Sequence, residues 1–222
     1  MASGPKTYFM EKTMTAKALL FDFDGVVADS EKYYTGFWNG IGKTYLGRED
    51  FGLEIKGCTL VSIFDKFFPR LVWKELERKL DEQEAAMSYE YIPGVCEFVK
   101  MARARGYKTA IVTSSNLHKM QSVFAQHPEL PAIFDRVFTS EDFTESKPSP
   151  HCYLKAMAFF GTDAQDSTVF EDSVNGLISG RNSGAKVVGL STTNPAEIVA
   201  QYSDIVVPDF TDAEKLFEFI EK

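Results

Sequence analysis

The chain has 222 residues, 44% hydrophobic and 25% charged, which suits one large α/β unit or a main domain with an insert and excludes disordered or fibrous classes. A formal net charge of -8 repels polyanions, so nucleic acid and acidic membranes are excluded as partners. The apolar runs fall far short of the roughly 18 residues that a helical bilayer span requires, and three cysteines without a close pair, Cys58, Cys96 and Cys152, read as reduced thiols of a cytoplasmic protein.

Residues 1–15 carry Lys6, Glu11 and Lys12 without an apolar stretch, and read as a loose leader rather than a signal peptide. The first buried strand is expected over residues 17–23. From Tyr33 to Tyr91 the pattern changes to long helical periods with no buried strand. Tyr33, Tyr34, Phe37, Trp38 and Ile41 share one helix face there, read as core packing, and residues 71–87 predict a charged amphipathic helix with Leu76 and Leu80 inward. Pro93-Gly94 then marks the return to the main unit. This assigns residues 16–30 and 93–222 to a core domain and residues 31–92 to a helical insert.

Beyond the insert, Val95, Phe98, Val99 and Ala102 recur at helical spacing and stop at Gly106. Strands are expected over residues 108–113, 136–138, 168–170, 186–190 and 204–207. Between the last few, Val174, Leu177, Ile178 and Arg181 repeat the helical grammar and stop at Gly184. Short apolar runs alternating with helices predict an α/β fold with a parallel sheet.

The strongest chemical feature is Phe21-Asp22-Phe23-Asp24-Gly25, where two acids close an apolar strand and residues i and i+2 share a face. Two carboxylates roughly 4 Å apart repel by about 4 kcal/mol at an effective dielectric near 20, so a cation or a proton must come between them. A second acidic pair, Glu171-Asp172, closes another apolar run. Ligands of open parallel sheets gather beyond the carboxyl ends of the strands, where these acids would offer hard oxygens to a small divalent ion such as magnesium. Two further fragments suit a phosphate. The run from Ile111 through Thr113, Ser114 and Ser115 to Asn116 ends a strand in hydroxyls and a turn, and Ser146-Lys147-Pro148 holds a cation in a stiff loop.

Taken in order, the four fragments resemble the signatures of the haloacid dehalogenase superfamily, in the branch with a helical cap inserted after the first signature. They stand as Phe-Asp-Phe-Asp-Gly-Val-Val-Ala-Asp-Ser-Glu, Ile-Val-Thr-Ser-Ser-Asn, Ser-Lys-Pro-Ser-Pro and Phe-Glu-Asp-Ser-Val-Asn-Gly. The resemblance implies a Rossmann-like core with its first strand central and an inserted all-helical cap. It implies that Asp22 is the nucleophile, that Asp24 is general acid and then base, and that Thr113, Ser114 and Lys147 hold the phosphoryl group. It also implies Mg2+ on Asp22, Asp172 and the Asp24 carbonyl, with Glu171 direct or through water. The acid at Asp24 favours phosphoryl transfer over dehalogenation.

Within that branch the chain is similar to the β-phosphoglucomutases and to sugar-phosphate phosphatases. The loop Lys56-Gly57-Cys58-Thr59 resembles the cap loop that dips towards the site and is implied to set substrate choice, with Lys56 a candidate contact to an anionic substrate, although a lysine is more often exposed. Leu60 and Tyr34 stand where the mutases carry an arginine and a histidine, so a phosphatase acting as a monomer on a small sugar or polyol phosphate ester is expected, with a mutase as the alternative. A non-catalytic phosphometabolite-binding protein is a third reading, which the intact acids and Lys147 disfavour. His118, His127 and His151 read as surface residues, and Asp29, Ser30 and Glu31 as the start of the first cap helix rather than as catalytic groups.

Overall fold

A computed structural model describes residues 16–222. The leader expected over residues 1–15 lies outside the described residues. Among those described, six short strands form one parallel sheet: β1 (Ala18–Phe21), β2 (Lys108–Val112), β3 (Arg136–Phe138), β4 (Ser167–Glu171), β5 (Lys186–Leu190) and β6 (Ile205–Val207). Their order is β3-β2-β1-β4-β5-β6, with β1 central as expected. All five pairings are parallel. Each strand lies where the apolar runs placed it. β1 stops at Phe21, two residues before the expected end, because the chain bends at Phe23.

Of the five α-helices between β1 and β2, the first four form the insert: α1 (Glu31–Leu46), α2 (Phe51–Glu54), α3 (Leu60–Phe67) and α4 (Trp73–Ala85). The rest surround the sheet: α5 (Val95–Ala104), α6 (Leu117–Gln126), α7 (Leu130–Ile133), α8 (His151–Phe160), α9 (Val174–Asn182), α10 (Ala196–Val199) and α11 (Ala213–Ile220). Side chains of β1 alternate between the two faces. Leu19 and Phe21 join Phe98 of α5, Met120 and Val123 of α6 and Phe217 of α11, whereas Ala18 and Leu20 join Tyr153 and Ala156 of α8. The doubly wound Rossmann-like architecture follows from that alternation.

Phe21 and Phe170 occupy opposed positions on β1 and β4 and stack with ring centroids 4.4 Å apart. Phe98 and Phe210 pack against both rings. This aromatic floor lies one residue below Asp22 and Glu171. It therefore holds the two acidic strand ends level.

Helices α1 to α4 have a separate apolar cluster, with Trp38, Ile41, Phe51, Ile63, Phe64, Leu76 and Leu80 buried together. Leu76 and Leu80 face inward on α4 as the amphipathic pattern requires. The two connections to this helical cap run side by side. Asp29 N–H donates to Glu90 O at 2.8 Å and Ile92 N–H donates to Val27 O at 3.0 Å.

Candidate active site

The sheet register brings the four signatures together. Phe21 lies opposite both Ile111 and Phe170, so Asp22, Thr113 and Glu171-Asp172 emerge at one edge. Asp22 N–H continues the ladder to Phe170 O at 3.0 Å, and Thr113 N–H to Phe138 O at 3.0 Å. Beyond Asp24 the chain reverses at Gly25, whose φ is +76°, and a Cβ there would collide with the Asp172 carboxylate. Only glycine lets the first and last signatures approach this closely.

Lys147 is buried between two acids, with its Nζ 3.1 Å from Asp22 Oδ1 and 2.6 Å from Glu171 Oε1. Burial alone would lower its pKa, but Asp22 and Glu171 outweigh burial and raise it, so the ammonium stays charged. Glu171 also accepts from Tyr153 OH at 2.8 Å, from Asp172 N–H at 3.1 Å and from Ser173 OH at 3.2 Å. Its carboxylate thus holds Lys147 in place.

Asp22, Glu171 and Asp172 each offer a carboxylate oxygen within 4.8 Å of the others, and all three are buried. Both oxygens of Asp172 are buried without a hydrogen-bond partner. Burial, followed by the charges of Glu31, Glu171 and Asp22, pushes its carboxyl well above the usual range. Asp22 is pushed up to about 8 by burial and by Glu171, against the pull of Lys147. Together with Asp24, Glu31 and Glu84 the site holds six acids against Lys56, Lys119 and Lys147, an excess of three negative charges when all are ionised. Hard, buried, unpaired oxygens with that excess charge fit a small divalent cation.

Asp24 has a different environment. Lys119 Nζ lies 2.6 Å from each of its oxygens, Ser115 OH donates to Oδ2 at 2.9 Å, and Ser30 OH donates to Oδ1. Burial raises its pKa, but Lys119 and these hydroxyls pull harder, and the carboxyl ends below its usual value. The Asp24 side chain is therefore turned towards Lys119, outside the group formed by Asp22, Glu171 and Asp172.

Thr113 and Ser114 close β2 beside Asp22. Thr113 OH accepts from Ser115 N–H at 3.0 Å, and Ser114 OH donates to Gly57 O at 2.7 Å. The loop Lys56-Gly57-Cys58-Thr59 reaches the site as anticipated and docks on two core loops and the start of α9. Besides the Ser114 bond, Asn175 Nδ2 donates to Lys56 O at 2.7 Å and Thr59 N–H donates to Ser146 Oγ at 2.9 Å. Cys58 Sγ lies 3.8 Å from Lys147 O. Gly57 adopts φ +76°, and a Cβ there would stand 2.6 Å from Ser173 Oγ.

Three readings of the sequence are corrected. Lys56 is not a surface residue; it is 8% exposed and pairs with Glu31 at 2.6 Å. Ser30 and Glu31 are not merely a helix start, since Ser30 OH donates to Asp24 and Glu31 lines the cavity, whereas Asp29 turns outward to Lys32. Tyr34 is more than core packing, because its OH donates to Glu84 at 2.8 Å and its ring lies 4.3 Å from Lys119 Nζ. Lys119 itself escaped the sequence reading. Its faint signal is its place three residues after Asn116, which caps α6 by accepting from Lys119 N–H.

Asp22, Asp24, Glu31 and Glu84, with Thr113, Ser114, Ser115, Lys56 and Lys119, border a cavity of about 100 Å³. A profile of the family described as haloacid dehalogenase-like hydrolase matches residues 19–190, and the chain belongs to that family. It is 27% identical over 193 residues to Protein CbbY of Rhodobacter capsulatus, covering 79% of this chain and 85% of that one. It is 26% identical over 176 residues to Hexitol phosphatase B of Escherichia coli K12, covering 74% of this chain and 78% of that one. A β-phosphoglucomutase structure from Clostridium difficile superposes with a TM-score of 0.77 at 17% identity, covering 93% and 97% of the two chains, and shows the shared fold.

Proposed function

We propose that this haloacid dehalogenase-like hydrolase is a magnesium-dependent phosphatase that cleaves small phosphate monoesters through an aspartyl-phosphate intermediate. The observation that carries the reading is the buried set of Asp22, Glu171 and Asp172 with Lys147 between two of its acids. In this reading residues 16–30 and 93–222 form the catalytic core domain and residues 31–92 the cap. The sugar or polyol leaving group anticipated from the sequence falls within this substrate class, as does the hexitol phosphate in the name of the relative from Escherichia coli.

Asp22 attacks phosphorus with one carboxylate oxygen. The bond from phosphorus to the leaving oxygen breaks, and Asp24, which Lys119 holds ionised at rest and which must first take up a proton from solvent, delivers that proton to the leaving oxygen. Asp24 is then the ionised base. It takes a proton from water as the water oxygen bonds to phosphorus and the Asp22–phosphorus bond breaks, which releases inorganic phosphate and restores Asp22. Thr113 and the Ser114 backbone hold phosphoryl oxygens, and Lys147 supplies positive charge beside the nucleophile. Asp22, Asp172 and the Asp24 carbonyl would hold Mg2+, with Glu171 at the edge of the set. The ion would supply the charge that keeps the crowded acids ionised and neutralises phosphoryl oxygens.

A mutase must retain a bisphosphate during turnover, and Leu60 at the cavity offers no charge to grip a second phosphate. Hydrolysis is favoured for that reason. The experiment is phosphate release from an aryl phosphate with Mg2+ and with chelator. The wild-type chain is expected to be active only with the metal, and Asp22→Asn to fall to background. Wild-type turnover by Asp22→Asn would overturn the nucleophile assignment, and stoichiometric conversion of a hexose phosphate to its isomer would replace the phosphatase with the mutase.

A further inference from the structure

Resting on the phosphatase reading above, we propose that the site selects monoesters with one phosphate, no second anionic group, and a leaving alcohol that presents an aromatic or alkyl face. Three observations carry this. First, the cavity beyond Asp22 and Asp24 is walled on the cap side by Trp38, Ile55, Ile63 and Leu80, all buried in the cap cluster, with Leu60 beside them. A leaving group enclosed there loses water against apolar atoms. That favours an apolar face and penalises hydroxyl groups left without partners.

Second, every lysine among the described residues lining the cavity is already matched. Lys119 pairs with Asp24, Lys56 pairs with Glu31, and the neighbouring Lys147 is held by Asp22 and Glu171. A second phosphate on the leaving group would face Glu31 and Glu84 without an uncommitted cation. Like charge in a partly desolvated pocket opposes its entry.

Third, the polar acceptors left on the cap side are two carboxylates. Tyr34 OH donates to Glu84, which is 7% exposed, and Glu31, paired with Lys56 through Oε2, also lines the cavity. Both can accept from a hydroxyl or N–H on the leaving group. A donor or two on an otherwise apolar alcohol is satisfied there. The longer run of hydroxyls on a sugar or polyol, the leaving group expected from the sequence, meets the apolar wall with hydroxyls left unpartnered.

The test uses the full chain with Mg2+ and alkyl esters of similar leaving-group acidity. Benzyl phosphate is compared with glycerol 1-phosphate, and fructose 6-phosphate with fructose 1,6-bisphosphate. The expected result is a kcat/KM at least about tenfold higher for benzyl phosphate and at least about tenfold lower for the bisphosphate than for its monophosphate, the discrimination typical of a built apolar pocket. Leu60→Asn, at a partly exposed position that can change without emptying the cap core, is expected to shrink the benzyl preference several-fold. Higher kcat/KM for glycerol 1-phosphate or for the bisphosphate overturns the proposal while the phosphatase reading stands. Absence of phosphate release from all four esters overturns the phosphatase reading and this inference with it.

Discussion

Lys119 Nζ reaches both carboxylate oxygens of Asp24 at 2.6 Å, across 95 residues of sequence. The contact fixes which way the Asp24 side chain points, and it separates this acid electrically from the crowded trio of Asp22, Glu171 and Asp172. One acid is held ionised by its own cation while Asp22 and Asp172 are pushed towards protonation. Pairs of acids driven apart in this way are suited to different chemical roles.

Removing that cation should therefore move a pH profile. With Lys119→Met, burial acts on Asp24 unopposed by the lysine, so its pKa rises and its base form is lost at a higher pH. The acidic limb of kcat is expected to shift upward by about one unit or more. Activity at pH 6 then falls further than activity at pH 8. A kcat profile with an unmoved acidic limb would refute the role given to the Lys119 contact.

Asp24→Asn leaves no group to protonate the departing oxygen or to accept a proton from water. For an alkyl phosphate, kcat should fall by about 10²–10⁴-fold. An aryl phosphate, whose leaving group needs less help, should still phosphorylate Asp22, and the intermediate should then accumulate because water is no longer activated. Intact-mass spectrometry after rapid quenching detects it. Unphosphorylated enzyme under those conditions would argue against the second role of Asp24.

The crowded acids also link stability to pH in metal-free protein. Asp22 has a folded-state pKa of about 8 against an ordinary value of 3.8, so between these values the native state binds more protons than the unfolded state. Its contribution is fully present below pH 3.8 and is lost as pH rises towards 8. The chelated protein should melt at a lower temperature at pH 8 than at pH 5.5, each kcal/mol moving Tm by about 2–4 °C for a chain of this size. Mg2+ should raise Tm more at pH 8 than at pH 5.5. An equal increment at both pH values would contradict the shared-charge picture.

Gly57 tests the docking of the cap loop. Valine at φ +76° is strained, and its Cβ would press on Ser173 Oγ. Gly57→Val should loosen the bonds from Ser114 and Asn175 to the loop and reduce kcat/KM by about tenfold or more. Tm should change by only a few degrees, because the apolar clusters of sheet and cap lie elsewhere. Wild-type kcat/KM in a folded Gly57→Val protein would show that loop docking does not limit turnover.

Strand positions and the main acids were legible because they depend on local patterns. Residues 108–113 and 168–170 are apolar runs closed by polar groups, and in a parallel sheet such ends must share an edge. The helices were legible from spacing, with Leu76 and Leu80 on the buried side of α4. Lys56 was named as a cap-loop candidate, but its burial was not legible because a lysine carries no local sign of its partner. It is buried only because Glu31, at the start of α1, faces the loop after α2.

What the sequence determined by itself was periodicity and the order of its signatures, which specify the sheet, the helical cap, the family and the identities of Asp22, Asp24, Thr113, Lys147, Glu171 and Asp172. Tertiary structure decided how charge is divided among them. Lys119 meets Asp24, Lys56 meets Glu31, and Trp38, Ile63 and Leu80 wall the cavity only because the cap folds back over the ends of β1 and β2. Pairing of side chains far apart along the chain depends on how helices pack, and packing is a property of the whole fold rather than of any window of residues.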